Sequence, residues 1–286
     1  MPRWILLLAG CSALGATAAV PAHALDLELY AQLLETYTRE VPDLAGTRVD
    51  YGALVRSEDW GRLVRSLAAD QPAALQPSHE TLAYWINAYN VLAIDVVVRS
   101  YPVESIRDVG SFLRPVWKRP AGTVGGRVVT LHEIEHEILR PLGDPRIHGA
   151  IVCASLSCPP LLRAPYRAER LDGQLEAIWR RWLADPWKGT RVDAPAQTLW
   201  LSRIFDWFEE DFEGTGGVLA SVGRYAPGAT SDWIAANPEA SIRFLDYDWH
   251  LNDLSLESSD RPGTGLPTLA RLGLGPNPCT WLGLAC

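Results

Sequence analysis

The stretch Asp144–Leu161, DPRIHGAIVCASLSCPPL, gathers an imidazole, two thiols and two hydroxyls within a few residues of one another. A thiol becomes a nucleophile once a nearby base or a local positive field lowers its pKa. Cys153 and Cys158 are therefore the candidate nucleophiles. His148, and His136 with Glu135 beside it, are the candidate bases and their support. His148 is poorly placed for Cys153, because along a strand the two would stand roughly 16 Å apart and on opposite faces. Cys158 lies beyond a loop able to fold back, and Pro159 suits the first turn of a helix, whose N-terminus favours thiolate. A catalytic pair requires sulfur and imidazole nitrogen to approach roughly 3–4 Å with access to solvent. The competing expectation is structural: cysteines of an exported chain pair, and this loop can bridge Cys153 to Cys158 if it turns back. Cys279 and Cys286 would close a second, short loop near the C-terminus.

A second pattern, His132-Glu133-Ile134-Glu135-His136, spells H-E-x-x-H on a predicted helix. In zinc peptidases that spacing puts two imidazoles on one helical face with the first glutamate as general base. Leu142 stands where a metzincin would place its third histidine, so zinc-dependent hydrolysis would need a distant third ligand. The plainer reading is a solvated, charged helix face. A four-ligand site from His136, His148, Cys153 and Cys158 matches no common zinc module. The sequence therefore calls for no cofactor.

These groups need elements to position them. Ile147–Val152 is an uncharged run bounded by turn residues and reads as a buried strand. Thr130 is three residues before Glu133, a capping box for a helix over 131–140. Ser78 caps a longer helix, 80–99, whose apolar residues Leu82, Trp85, Ile86, Tyr89, Leu92, Ala93 and Val96 cover most of its circumference, so it should be central. Asn87, Asn90 and Asp95 interrupt that surface. Because a stranded buried amide costs roughly 1–3 kcal/mol, both asparagines should have internal partners. Tying down a nearby loop is one role, and orienting a catalytic histidine is the sharper one, which makes Asn87 a further site candidate. Other helices are expected at 27–39, 168–184 and 202–212, with strands at 128–129, 198–201 and 241–245.

Met1–Ala24 has the order of an export signal: Arg3, an apolar stretch Trp4–Val20, then Ala22-His23-Ala24 as an A-x-A cleavage site, leaving a mature N-terminus at Leu25. Leu8-Ala9-Gly10-Cys11 also fits a lipoprotein signal, so a lipid anchor at Cys11 is the alternative to a soluble periplasmic or secreted protein. The net charge of −8 argues against non-specific attraction to nucleic acid or anionic lipid. A small molecule or peptide is the expected partner. Only two lysines occur, Lys118 and Lys188, which leaves little room for lysine chemistry. Twelve tryptophans suit a core and would equally suit a carbohydrate-binding surface.

Several motifs together resemble the uncharacterised family called domain of unknown function 547. They are Tyr84-Trp85-Ile86-Asn87-Ala88-Tyr89-Asn90, Ile134-Glu135-His136 with Ile138-Leu139-Arg140, and Asp144-Pro145-Arg146-Ile147-His148. Val152-Cys153-Ala154-Ser155 with Cys158-Pro159-Pro160-Leu161, and Asp246-Tyr247-Asp248-Trp249 with Leu251-Asn252, complete the set. The resemblance covers roughly residues 49–253, with these motifs in order. The resemblance implies one domain, of a kind found in exported bacterial and in plant proteins, and no settled activity. That family usually carries an acidic residue at the position of His132 and a small polar one at that of His250, so it implies no shared chemical role for either.

The expectation is an α+β single domain, mainly helical around a small β-sheet, over residues 25–253, followed by a Gly/Pro-rich tail, 254–286. The leading function is a cysteine/histidine-dependent hydrolase or acyltransferase of the cell envelope. A non-enzymatic binding or assembly domain with structural cysteines is the alternative.

Overall fold

A computed structural model describes residues 25–70 and 77–256. The export signal with Cys11, the pair Cys279 and Cys286 and nearly all of the expected tail lie outside the described residues. Eight α-helices are present among them: α1 Leu27–Tyr37, α2 Tyr51–Leu54, α3 Glu58–Ala69, α4 His79–Val98, α5 Leu171–Leu183, α6 Ile204–Trp207, α7 Val218–Tyr225 and α8 Gly228–Ala236. The strands are β1 Thr38–Glu40, β2 Thr47–Val49, β3 Pro120–Val124, β4 Arg127–Thr130, β5 Thr190–Asp193, β6 Thr198–Leu201 and β7 Ser241–Phe244. They form not one sheet but three small ones: the hairpins β1-β2 and β3-β4, and β5-β6-β7, in which β6 pairs antiparallel with β5 and parallel with β7. The chain is a mainly helical α+β domain.

Helix α4 is the axis of the larger core. The Ser78 hydroxyl accepts from the Thr81 N–H and caps its start, as the sequence indicates. From Thr81 to Val97 nearly every residue is buried, Trp85, Tyr89, Asn87 and Asn90 included. By length and composition the segment His79–Ser100 could cross a membrane. In the fold 89% of its apolar window is buried, which makes it a core helix. A second core packs α5 against β6, α6 and α7 through Trp179, Trp182, Phe205 and Phe212.

The expected strand over Ile147–Val152 is not one. Residues Pro145–Gly149 form a 3-10 turn, capped by the Asp144 carboxylate, which accepts from the Arg146 N–H, with Pro145 in its first turn. Gly149 lies so close to the Trp179 indole that a Cβ there would collide with the ring. Ala150 is still helical in its backbone angles and Ile151–Cys153 has no regular structure; the Ala150 carbonyl and the Val152 N–H find a side chain rather than a neighbouring strand.

The segment Tyr247–Asp253 closes the fold by touching both ends of it. Val49 N–H donates to the Asn252 carbonyl over 2.9 Å, the Arg48 guanidinium donates to the Asp253 carbonyl over 2.6 Å, and the Tyr51 hydroxyl donates to the Asn252 side-chain oxygen over 2.8 Å. The same segment makes an antiparallel bridge between Leu251 and Ser155.

Candidate functional site

The cysteine loop is held from several sides. Asn90, on α4, donates to the Ala150 carbonyl and accepts from the Val152 N–H, each over 2.9 Å. On the far side, the Asn252 N–H donates to the Ala154 carbonyl and the Leu156 N–H to the His250 carbonyl, both at 2.9 Å. The Asp248 N–H donates to the Ser157 hydroxyl at 2.8 Å. Beneath the loop, the buried Lys188 ammonium donates to the carbonyls of Cys158 at 2.8 Å and Ala45 at 2.7 Å. Ala154 takes a left-handed conformation, φ 60°, one that a residue with a Cβ adopts only when its surroundings demand it.

Within this frame the sulfurs of Cys153 and Cys158 stand at disulfide distance, their Cα atoms 6.3 Å apart. Cys153 is partly exposed and Cys158 is buried. Polar hydrogens surround both. The Cys153 N–H donates to the Cys158 sulfur over 3.0 Å, and the Tyr247 hydroxyl donates to the same sulfur over 3.3 Å. The Ser155 hydroxyl lies 3.1 Å from the Cys153 sulfur and 3.2 Å from the Tyr247 hydroxyl, which is itself 3.4 Å from the Cys153 sulfur.

A cluster of ionisable groups comes from an unusual element. The Thr130 hydroxyl accepts from the Glu133 N–H, as expected, but the turn that follows, Glu133–Leu139, is a π-helix. Such turns are rare and are frequent at functional sites, where the extra residue per turn re-aims side chains. Glu135 is 7% exposed. It accepts from the Tyr89 hydroxyl at 3.2 Å through one oxygen, and among the described residues its other oxygen has no hydrogen-bond partner. Burial pushes its carboxyl up to about 7; Tyr89 and Arg140 oppose the rise and Asp211 adds to it. Its charge reaches Tyr247, whose phenol is raised chiefly by burial and further by Glu135.

Next to it, His136 accepts at Nδ1 from the Arg140 guanidinium over 2.8 Å, and its ring lies 4.4 Å from that of His132. Burial, then the positive neighbours His132 and Arg140, hold the His136 imidazole down to about 4, so it is neutral at physiological pH. Arg140 grips Asp211 through two nitrogens, at 2.7 and 2.8 Å, and also bonds Glu210. His148, buried and stacked on Phe208 with ring centres 4.2 Å apart, donates through Nε2 to Asp211 over 2.7 Å. Burial would raise the Asp211 carboxyl, but the hydrogen bonds from His148 and Arg140 override it and hold it at about 2.

The candidate residues thus divide between two centres. Cys153 and Cys158 are together on the loop, and among the described residues neither sulfur hydrogen-bonds an imidazole. His148 answers to Asp211 and His136 to Arg140. Glu135 points to Tyr89, not to its neighbour His136. Asn87 bonds no histidine: it donates to the Tyr166 carbonyl at 2.7 Å and accepts from the Tyr166 N–H at 2.9 Å, tying down a loop. No helix begins at Pro159; the next helical turn after Cys158 is Ala168–Arg170. The H-E-x-x-H pattern dissolves in the π-turn, with Glu133 paired to Arg127 and a guanidinium on His136. Among the described residues no three His, Cys, Asp or Glu side chains converge as metal ligands.

Asp211, Lys188 and Tyr247 were not singled out as site residues. Asp211 and Lys188 carry no local signal, whereas Tyr247 stands in the Asp-Tyr-Asp-Trp motif. Trp179 and Trp182 are core residues, but Trp207 and Trp249 are partly exposed and pack with Tyr247 and Trp117 beside the sulfurs. Trp249 carries the Arg107 guanidinium 5.2 Å from its ring centre.

No curated protein and no solved structure matches the chain. A family model matches residues 72–183, a narrower span than the resemblance over roughly 49–253, and it takes in Asn87, Glu135, His136, His148 and both loop cysteines but neither Asp211 nor Tyr247. Over that central stretch the chain is similar to the family described as "Protein of unknown function, DUF547".

Proposed function

We propose that this chain is an exported cell-envelope protein that exchanges thiols and disulfides through Cys153 and Cys158, acting on a peptide or small-molecule thiol. One observation carries the reading: donors surround the sulfurs. A neutral disulfide gains little from hydrogen-bond donors, whereas a thiolate gains a great deal. The Cys153 N–H and the Tyr247 hydroxyl both aim at Cys158, and the Lys188 ammonium sits on that residue's carbonyl. Exposure divides the roles. An incoming thiolate attacks the Cys153 sulfur and forms a mixed disulfide with it. The Cys153–Cys158 bond breaks, and its electron pair leaves on Cys158. A second thiolate of the partner then attacks the mixed disulfide. It releases Cys153 as thiolate and leaves the partner oxidised and the pair reduced. A histidine-dependent acyl transfer at these thiols is less well supported, because both imidazoles are engaged with Arg140 and Asp211. Export follows from Met1–Ala24 and would place the pair in an oxidising compartment.

The test is to incubate native, full-length protein with dithiothreitol, trap thiols with N-ethylmaleimide and map them by peptide mass spectrometry. Labels at Cys153 and Cys158 without loss of the native circular dichroism support the reading, as does a mixed disulfide at Cys153 in C158S. Labels at these positions only in denaturant would refute it.

A further inference from the structure

We propose, resting on the exchange reading above, that Ser155 is the catalytic hydroxyl for Cys153: its hydrogen turns from the Tyr247 oxygen to the Cys153 sulfur and stabilises the thiolate released in the second exchange step. The hydrogen bonds of the bridged state assign the hydrogens. The Tyr247 hydroxyl donates to the Cys158 sulfur over 3.3 Å, and the Ser155 hydroxyl donates to the Tyr247 oxygen over 3.2 Å. Each hydroxyl has one hydrogen, so both are committed to a chain that ends on Cys158. The Cys153 sulfur lies 3.1 Å from the Ser155 oxygen and 3.4 Å from that of Tyr247, and receives neither hydrogen.

That arrangement serves the first step and not the second. When the Cys153–Cys158 bond breaks, the electron pair goes to Cys158, at which the chain from Ser155 through Tyr247 already points. In the second step the partner's other thiolate attacks the partner sulfur of the mixed disulfide. The bond to Cys153 breaks and the electron pair leaves on Cys153. Rotation of the Ser155 hydroxyl then carries its hydrogen to that thiolate without moving a heavy atom, while Tyr247 stays on Cys158. No proton is transferred: one thiolate is consumed, one is released and the partner's disulfide forms. The fold holds the three atoms in place. Ser155 is 2% exposed and bridged to Leu251, and it follows the left-handed Ala154. The Tyr247 ring packs between Trp207 and Trp249, with ring centres 4.8 and 4.6 Å away.

The experiment reduces native, full-length wild type, S155A and Y247F with dithiothreitol. It then follows alkylation of Cys153 by iodoacetamide from pH 4 to 9 by peptide mass spectrometry, with circular dichroism as the check on folding. The titratable groups around the pair are Tyr247, Asp248, whose N–H donates to Ser157, and Lys188 on the Cys158 carbonyl. S155A retains all three, so its difference from wild type reads Ser155. The midpoint of Cys153 alkylation should rise in S155A by about one to two pH units, the value of a hydrogen bond to a charged group. In Y247F it should not rise, because Ser155 then has its hydrogen free for Cys153 throughout. An unchanged midpoint in folded S155A overturns the role of Ser155. So does a rise of similar size in Y247F, which would make Tyr247 the donor to Cys153, and should S155A not fold, Y247F decides alone. Either result leaves exchange intact, whereas a bridge that opens only in denaturant overturns the reading on which the proposal rests.

Discussion

Replacing Asn90 with alanine tests whether the central helix, and not the cysteine bridge, holds the loop in place. The Asn90 amide makes two hydrogen bonds to backbone, one each way, and both partners are buried: Ala150 is 1% and Val152 3% exposed. Alanine strands a carbonyl and an N–H at once. At roughly 1–3 kcal/mol for each unsatisfied group, the loss is about 2–6 kcal/mol. That is a large share of the roughly 5–15 kcal/mol that a domain commands. With a urea slope of about 3 kcal/mol/M, the upper end of the range and the one suited to a domain of this size, the unfolding midpoint should fall by roughly 1–2 M. Aspartate at position 90 sharpens the test. It keeps the acceptor for Val152 but loses the donor to Ala150 and sets a carboxylate against that carbonyl, so it should be at least as damaging despite its near-identical shape. An unchanged midpoint in either variant would refute the argument that side-chain amides stand in for a missing strand partner.

Three further outcomes follow from other positions. Lys188→Met removes the donor to the Ala45 and Cys158 carbonyls and should lower stability by about 2–4 kcal/mol, read from urea unfolding, with faster reduction of the cysteine pair. Gly149→Ala would push a methyl into the Trp179 indole, which donates to the Arg146 carbonyl over 2.9 Å; a loss of about 1–3 kcal/mol and a change in tryptophan fluorescence should result. The Glu135 carboxyl, raised from 4.5 to about 7 on folding, contributes stability that is complete below pH 4.5 and is lost as pH rises through about 7, a change of about 3 kcal/mol. The buried histidines oppose this trend, so the quantity to measure is wild type minus E135Q in thermal or urea unfolding across pH 4–8. A constant difference would mean that folding leaves the Glu135 carboxyl at its ordinary pKa.

Much of the frame was legible in the sequence because local rules set it. The Ser78 cap, the all-round apolar pattern of α4 and the need of Asn87 and Asn90 for partners were each visible, since a buried amide must be paired wherever it sits. The run Ile147–Val152 misled for a physical reason: an uncharged, buried run looks the same whether its backbone enters a strand or, as here, a 3-10 turn whose exit is bonded by a side chain. The π-turn at Glu133–Leu139 was invisible because its sequence reads as ordinary helix. Asp211 was missed because its bond to His148 joins residues 63 apart, and no periodicity reports such a contact. The joined sulfurs were foreseen as one of two outcomes, and the choice between them depended on where the histidines point.

The closing segment has a consequence for the order in which the molecule can come into being. Arg48 and Asp253 meet across 205 positions of chain, and Tyr247 reaches the sulfurs from 89 positions beyond Cys158. A ribosome releases the N-terminal half long before these residues exist, so the nascent polypeptide carries β2 with an open edge and a thiol pair without its phenol. Local helices form early, but contacts of such long range wait until the loop-closure cost has been met. A chain threaded through a membrane from its N-terminus would meet the oxidising side in that same unfinished condition. Its cysteines would be free to join before Tyr247 arrives, and the final docking of residues 247–253 would then set the hydroxyl against an already formed bond.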